Sequence, residues 1–230
     1  MKRDVVVVTG AGRGIGRATA IAFAKRGAAV VLIGRTPANL QEAAAALAAL
    51  GVEALAIGCD VADSDDVELA AKQALDYFGA PAVVVNAAGV VHRGPTVEAT
   101  DPRDWDRVIA VNLRGPFLVS RAFLPAMREQ GRGRFIHVAS ISSTIGCPGN
   151  ASYAASKWGL VGFSKSLAEE LRGTNLASIA VLPGSVDTDM LKGSGFEPQM
   201  SPEDVASTIV HLALDAPAAM NASAVELFGP

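Results

Sequence analysis

A chain of 230 residues that is half hydrophobic, 19% charged and carries a net charge of −3 can bury one core unaided, so a single domain over residues 1–230 is expected. Lys and Arg are scattered rather than clustered, which argues against a nucleic-acid partner. No apolar run approaches the roughly 18–20 residues of a spanning helix, so no membrane partner is expected. Cys59 and Cys147 lie far apart in the chain and offer no disulfide framework, and no metal site is expected. Glycines from position 10 end the apolar run at 5–8 too early for an export signal, and a reducing, cytoplasmic setting is expected.

In chain order, short β-branched runs alternate with longer alanine-rich stretches of helical character. Residues 5–9 read as the first strand, 14–26 as a helix closed by Gly27, and 29–33 as the second strand. Thr36 and Pro37 open a helix that runs to Leu50 and stops at Gly51, followed by a strand at 54–57. Ser64 is expected to cap a helix ending near Phe78, and the apolar run 82–85 reads as a strand buried on both faces. Asp101 and Pro102 start one long helix towards Met127. Strand 134–139, helix 152–172 stopped by Gly173, strand 179–182, a helix from Ser201 and Pro202 to Leu214, and strand 224–228 complete the pattern. The alternation predicts an α/β fold: a Rossmann-like, doubly wound parallel sheet of about seven strands with helices on both faces and ligands at its carboxyl edge.

At that edge, Gly10, Gly12, Arg13, Gly14, Ile15 and Gly16 leave the first strand and open the first helix. Free backbone amides and the helix dipole there suit a pyrophosphate. An NAD site usually has a carboxylate at the end of the second strand to take the ribose hydroxyl. This chain has Arg35, which with Arg13 could flank a 2'-phosphate, so NADP(H) is favoured over NAD(H). The alternative is that both arginines are ordinary surface charges. Asp60 and Val61 follow the third strand, where Asp60 could meet an adenine amino group or serve only as a turn residue. Asn86, Ala87 and Gly89 end the fourth strand where the backbone can pass close to a cofactor.

Tyr153 and Lys157 are four residues apart, on one helix face. Ser140 closes the fifth strand, with Ser142 and Ser143 as its rivals, and Asn112 interrupts the long helix before that strand. With residues 9–16, 86–89, Asn112, Ser140, the Tyr153 to Lys157 spacing and Pro183–Gly184 in place, the chain resembles the short-chain dehydrogenase/reductase family in its compact one-domain branch, almost from end to end. The resemblance implies that Tyr153 is the general acid or base and that Ser140 hydrogen-bonds the reacting carbonyl oxygen. It implies further that Lys157 holds the nicotinamide ribose and lowers the tyrosine pKa, while Asn112 positions a water on a proton path to the lysine. Pro183, Gly184, Val186 and Thr188 would close over the nicotinamide carboxamide, and Ser142 would face substrate. The implied function is NADPH-dependent reduction of a ketone or 3-oxoacyl-type carbonyl, small or carrier-bound. An NAD-dependent alcohol or sugar dehydrogenase and a nucleotide-binding protein without turnover are the alternatives. Relatives often pair helices across a dimer or tetramer axis, so a homo-oligomer is expected; the small residues Ala155, Gly159, Gly162 and Ser166 would allow a close helix approach or pack on their own sheet.

The segment between Met190 and Ser201 is shorter than the substrate-covering loop common in that family, which predicts a reduced lid. His92, Arg93, Ile141, Ser142, Cys147, Asn150 and Met190 are expected to rim the pocket.

Overall fold

The computed structural model describes residues 3–94 and 96–229. A seven-stranded, wholly parallel sheet has the order β3-β2-β1-β4-β5-β6-β7. Its strands are β1 (Val5–Thr9), β2 (Ala29–Gly34), β3 (Ala54–Gly58), β4 (Val83–Asn86), β5 (Gly133–Val138), β6 (Leu176–Pro183) and β7 (Ala224–Leu227). The helices between them are α1 (Gly14–Lys25), α2 (Pro37–Ala48), α3 (Ser64–Phe78), α4 (Pro102–Ile109), α5 (Gly115–Gln130), α6 (Ala151–Glu170) and α7 (Pro202–Leu214). The expected doubly wound α/β architecture is therefore present.

Alternation along the strands decides which helices each face receives. Val6 and Val8 of β1 join Val30, Leu32 and Ile179 in a core that takes Phe23 of α1, Leu47 of α2 and Ile209 of α7. Val5 and Val7 point the other way, towards Val67 of α3, Phe123 of α5 and Leu167 of α6. Phe23, Phe123 and Phe135 are completely buried, and truncating any one to alanine costs about 3–5 kcal/mol.

Local expectations needed three corrections. The cap of α3 is Asp63, not Ser64: its carboxylate accepts from the amides of Asp65 and Asp66, and a carboxylate satisfies two orphan donors better than a hydroxyl does. Strand β6 starts at Leu176, three residues earlier than the apolar run suggested, because Ala177 and Ser178 are small enough to be buried within it. The long helix is broken: α4 and α5 are joined by a π-turn over Ala110–Arg114, in which the Gly115 amide bonds the Ala110 carbonyl. Pro116 has no amide to give the Asn112 carbonyl, so the regular ladder cannot pass this point. The wide turn rotates Asn112 inward, where it is completely buried.

Candidate active site

The first crossover is shaped by backbone alone. Gly10 has φ +66°, and a side-chain carbon there would lie 2.8 Å from the Ala88 Cα. One at Gly12 would lie 2.8 Å from Asn39 Cβ, and one at Gly16 would overlap the Gly10 carbonyl. The Thr9 hydroxyl accepts from the amides of Ala87 and Ala88, both at 3.1 Å, and so ties the end of β4 to the start of the glycine turn. Helix α1, with Arg13 at its N-cap position, has no side-chain cap and no acid in its first turn. Its amides are free for an anion, and the cradle that side chains would fill fits a dinucleotide pyrophosphate.

A cleft of about 240 Å³ brings Gly10, Gly12, Arg13, Arg35, Asp60, Val61 and Gly89 together. Thr36, Asn39 and Leu40 from the start of α2 also line it, though the sequence marked none of them as a site residue. Both arginines are paired: Arg13 with Asp189 at 3.6 Å, Arg35 with Asp60 at 4.0 Å. These groups are half-exposed, so the pairs are weak and open to exchange.

A second cleft, about 370 Å³, holds Ile15, Ala87, Gly89, Ser140, Ser142, Tyr153, Lys157, Pro183, Gly184, Val186 and Thr188. Arg93, Ile141, Cys147, Asn150 and Met190 line it as expected; His92 does not, and lies in a neighbouring hollow within 3.7 Å of the Asp104 carboxylate. Ile145, Leu191 and Phe196, unflagged by the sequence, add apolar wall, and Ile145 and Phe196 are exposed at the mouth. Gly14 packs against Thr188, at 3.2 Å from a would-be side chain to Thr188 Cγ2, which brings the glycine turn to the segment after β6.

Asn86 and Asn112 line neither cleft. Asn86 turns its amide to Ser120 Oγ (3.3 Å) and His137 Nδ1 (3.2 Å), so its neighbours Ala87 and Gly89, not its own side chain, face the cleft. Asn112 accepts from the Val90 amide and donates to the Val90 carbonyl, both at 2.8 Å, and donates to Ser156 Oγ at 3.1 Å. It clamps the loop after β4 onto α6.

Tyr153 and Lys157 do share a face of α6, but their relation differs from the spacing's promise. The Lys157 ammonium donates to the Val138 carbonyl at 2.8 Å and lies 5.6 Å from the Tyr153 ring centre. Burial pushes the lysine pKa down to about 8. Burial also raises the Tyr153 phenol above its ordinary value, against smaller downward pulls from the Ser140 hydroxyl and the Arg93 guanidinium. The net direction is upward because desolvation outweighs those two pulls, and Lys157 is not among them. Ser140 accepts from the Ser142 amide at 3.1 Å, which leaves its proton free to point into the cleft. On the helix's other side, Gly159 packs against Leu113 of the π-turn while Gly162 is open, so the stripe of small residues divides between internal packing and surface.

The sequence model for short chain dehydrogenases matches residues 4–197. The chain is 39% identical over 226 residues to a 3-oxoacyl-(acyl-carrier-protein) reductase of Synechocystis sp., spanning 94% of this chain and 91% of that protein. It is 32% identical to 2-(S)-hydroxypropyl-CoM dehydrogenase 3 of Xanthobacter autotrophicus, covering 100% of this chain and 96% of the relative. The crystal structure of levodione reductase superposes with a TM-score of 0.94 at 29% identity, over 98% of this chain and 96% of the other. Sheet order agrees with these matches: the chain belongs to the short-chain dehydrogenase/reductase family and is an NAD(P)-dependent oxidoreductase acting on a carbonyl or alcohol.

Proposed function

We propose that this protein reduces a ketone or 3-oxoacyl-type carbonyl to a secondary alcohol, with NADPH as the reductant. The observation that carries the reading is the convergence of the Ser140 hydroxyl and the Tyr153 phenol on one largely apolar cleft, with the Lys157 ammonium behind them. When bound, the dinucleotide supplies the hydride. The glycine turn and the α1 amides would hold its pyrophosphate, Lys157 its nicotinamide ribose, and Arg13 and Arg35 its 2'-phosphate.

The chain's own contribution is positional and protic. Ser140, with its oxygen already occupied by the Ser142 amide, presents a proton to the substrate oxygen. Tyr153 then delivers a proton to that oxygen as it becomes an alkoxide. A phenol held above its ordinary pKa stays protonated at neutral pH, the form reduction consumes. The apolar mouth at Ile145 and Phe196 suits a substrate with a hydrocarbon body. Names of relatives support the same class, since a 3-oxoacyl-carrier reductase and levodione reductase are among them.

The second reading, an NAD-dependent alcohol dehydrogenase, draws on the Asp60 carboxylate 4.0 Å from Arg35, which partly neutralises the cation assigned to the phosphate. A cytoplasmic homo-oligomer is part of the proposal, with the exposed Phe117 of α5 and Trp158 of α6 as its contact surface. The test of function is NADPH oxidation across a panel of ketones and 3-oxoacyl thioesters. Turnover abolished by Tyr153→Phe is expected; no turnover on any class, or turnover indifferent to Tyr153→Phe, overturns the reading.

A further inference from the structure

The two clefts meet at Gly89, which lines both. A dinucleotide must run through this point to reach from Arg35 to Tyr153. Beyond Gly89 the Met190 side chain forms part of the wall, and its Sδ accepts from the Tyr153 hydroxyl at 3.9 Å. A side-chain carbon on Gly89 would lie 3.7 Å from both Met190 Cε and Lys157 Nζ. Met190 therefore lies beside both Gly89 and Tyr153, at the reaction end of the cleft.

What holds it there comes from the opposite rim. Arg93, in the loop after β4, donates to the Met190 carbonyl at 2.6 Å and to the Lys192 carbonyl at 3.4 Å. One guanidinium thus grips two carbonyls of a turn nearly a hundred residues away in sequence, a geometry a point-charge ammonium cannot copy. The base of Arg93 is itself fixed, since the Gly94 amide donates to the Gly149 carbonyl at 3.1 Å. Gly149 has φ +72°, and a side chain there would come within 2.6 Å of the Gly94 carbonyl. The turn is pulled from its other side by Arg13, which pairs with Asp189 at 3.6 Å. Amides inside the turn are bonded locally, Leu191 to the Thr188 carbonyl and Ser194 to the Leu191 carbonyl, each at 3.0 Å.

We propose that Arg93 is a positioning residue that latches the segment 187–194 across the cleft, seating Met190 against Tyr153 and barring the dinucleotide from the reaction end until the latch opens. This rests on the assignment of Lys157 and Tyr153 to the reaction end of the cofactor site. The short segment after β6 needs no long lid to cover the site, because an arginine on the facing rim draws it shut. The plug itself is a weak thioether contact, readily exchanged for a ligand. The closed state reduces the apparent affinity for dinucleotide by the fraction of molecules that hold it.

Hydrogen exchange on the free protein tests the latch directly. Arg93→Ala is expected to speed exchange at Leu191 and Ser194 by roughly tenfold or more, with the strands unchanged. Arg93→Lys keeps the charge but cannot fork onto two carbonyls, so its exchange should fall between. NADPH binding, followed by stopped-flow fluorescence, should show faster association and roughly three- to tenfold tighter binding in Arg93→Ala. Met190→Ala removes the plug but keeps the carbonyl grip, so it should bind NADPH faster while Leu191 and Ser194 keep wild-type exchange. Exchange unchanged in Arg93→Ala, or slower NADPH association in either variant, overturns the latch. A wild-type protein that fails to bind NADPH at all sinks the cofactor assignment instead, and leaves the exchange result to judge Arg93 alone.

Discussion

The two halves of the cleft are built from different materials. The adenosine half, at the ends of β1, β2 and β3, is a backbone surface in which three glycines stand where side chains would collide with Ala88, Asn39 or the Gly10 carbonyl. The reaction half, beyond β4, β5 and β6, is a side-chain surface whose groups are buried in the protein, shifted in pKa by that burial and covered by a turn from a distant segment. A backbone cradle is set once the strand and helix form. The reaction half depends on contacts between residues far apart in sequence.

Single-residue changes should therefore fail differently in the two halves. The largest effect is expected from Tyr153→Phe, which removes one oxygen from the reaction half. Turnover should fall by about 10²–10⁴-fold, the usual worth of a positioned proton donor, while the NADPH Kd stays within about twofold because the cradle is untouched. Steady-state kinetics with fluorescence titration checks both. A parallel loss of binding would mean that the halves are not separable. Gly10→Ala is the converse. Its φ of +66° and the 2.8 Å approach to Ala88 force the turn to shift, at a cost of about 1–2 kcal/mol from the left-handed backbone before any clash. NADPH binding should be lost and the urea midpoint lowered.

How much could be read from the chain follows the same division. The strand and helix pattern, the glycine turn and the set around Tyr153 were legible because each is a local signal: a period, a cap, a fixed spacing. Asn39 was missed because its role depends on where α2 docks against Gly12. The Lys157 ammonium turns to the Val138 carbonyl, and no i to i+4 rule contains that information. Arg93 and Met190 were seen as rim residues, but their bond across the cleft joins two loops only when the sheet has brought β4 and β6 to either side of β5. His137 passed unnoticed as one more strand residue. It proves completely buried, with Nδ1 near the Asn86 amide and its ring 5.4 Å from the Phe163 ring centre.

His137 also offers a test of how the halves are joined, since it precedes Val138, the acceptor for Lys157, and contacts Asn86, which precedes the Ala87–Gly89 turn. Burial depresses its pKa to about 3 from the ordinary 6.5. The unfolded chain takes up a proton that the folded state refuses, so stability is full above pH 6.5 and declines as pH falls towards 3. By pH 5 the loss is on the order of 2 kcal/mol. Urea midpoints between pH 5 and 7.5 should show this slope in the wild type and a shallower one in His137→Asn, which keeps a polar partner for Asn86 without the titration. Equal slopes would place the acid sensitivity elsewhere.

The smallest effect expected is at Arg35, where it decides most about the adenosine half. Its partner Asp60 is 4.0 Å away and both side chains are nearly half exposed, so giving up that pair costs well under ~1 kcal/mol. A ribose 2'-phosphate beside Arg35 and Arg13 offers charge-assisted bonds in return, which a bare hydroxyl cannot match. Arg35→Ala should therefore raise the NADPH Kd about tenfold and leave the NADH Kd within about twofold, by fluorescence titration at low salt. The gap should narrow towards 1 M salt, where the Debye length falls to about 3 Å. A loss shared equally by NADPH and NADH would make Arg35 an ordinary surface charge. The cradle would then bind either dinucleotide, and Asp60, freed of its cation, would become the natural acceptor for an adenosine donor and favour the NAD-dependent reading.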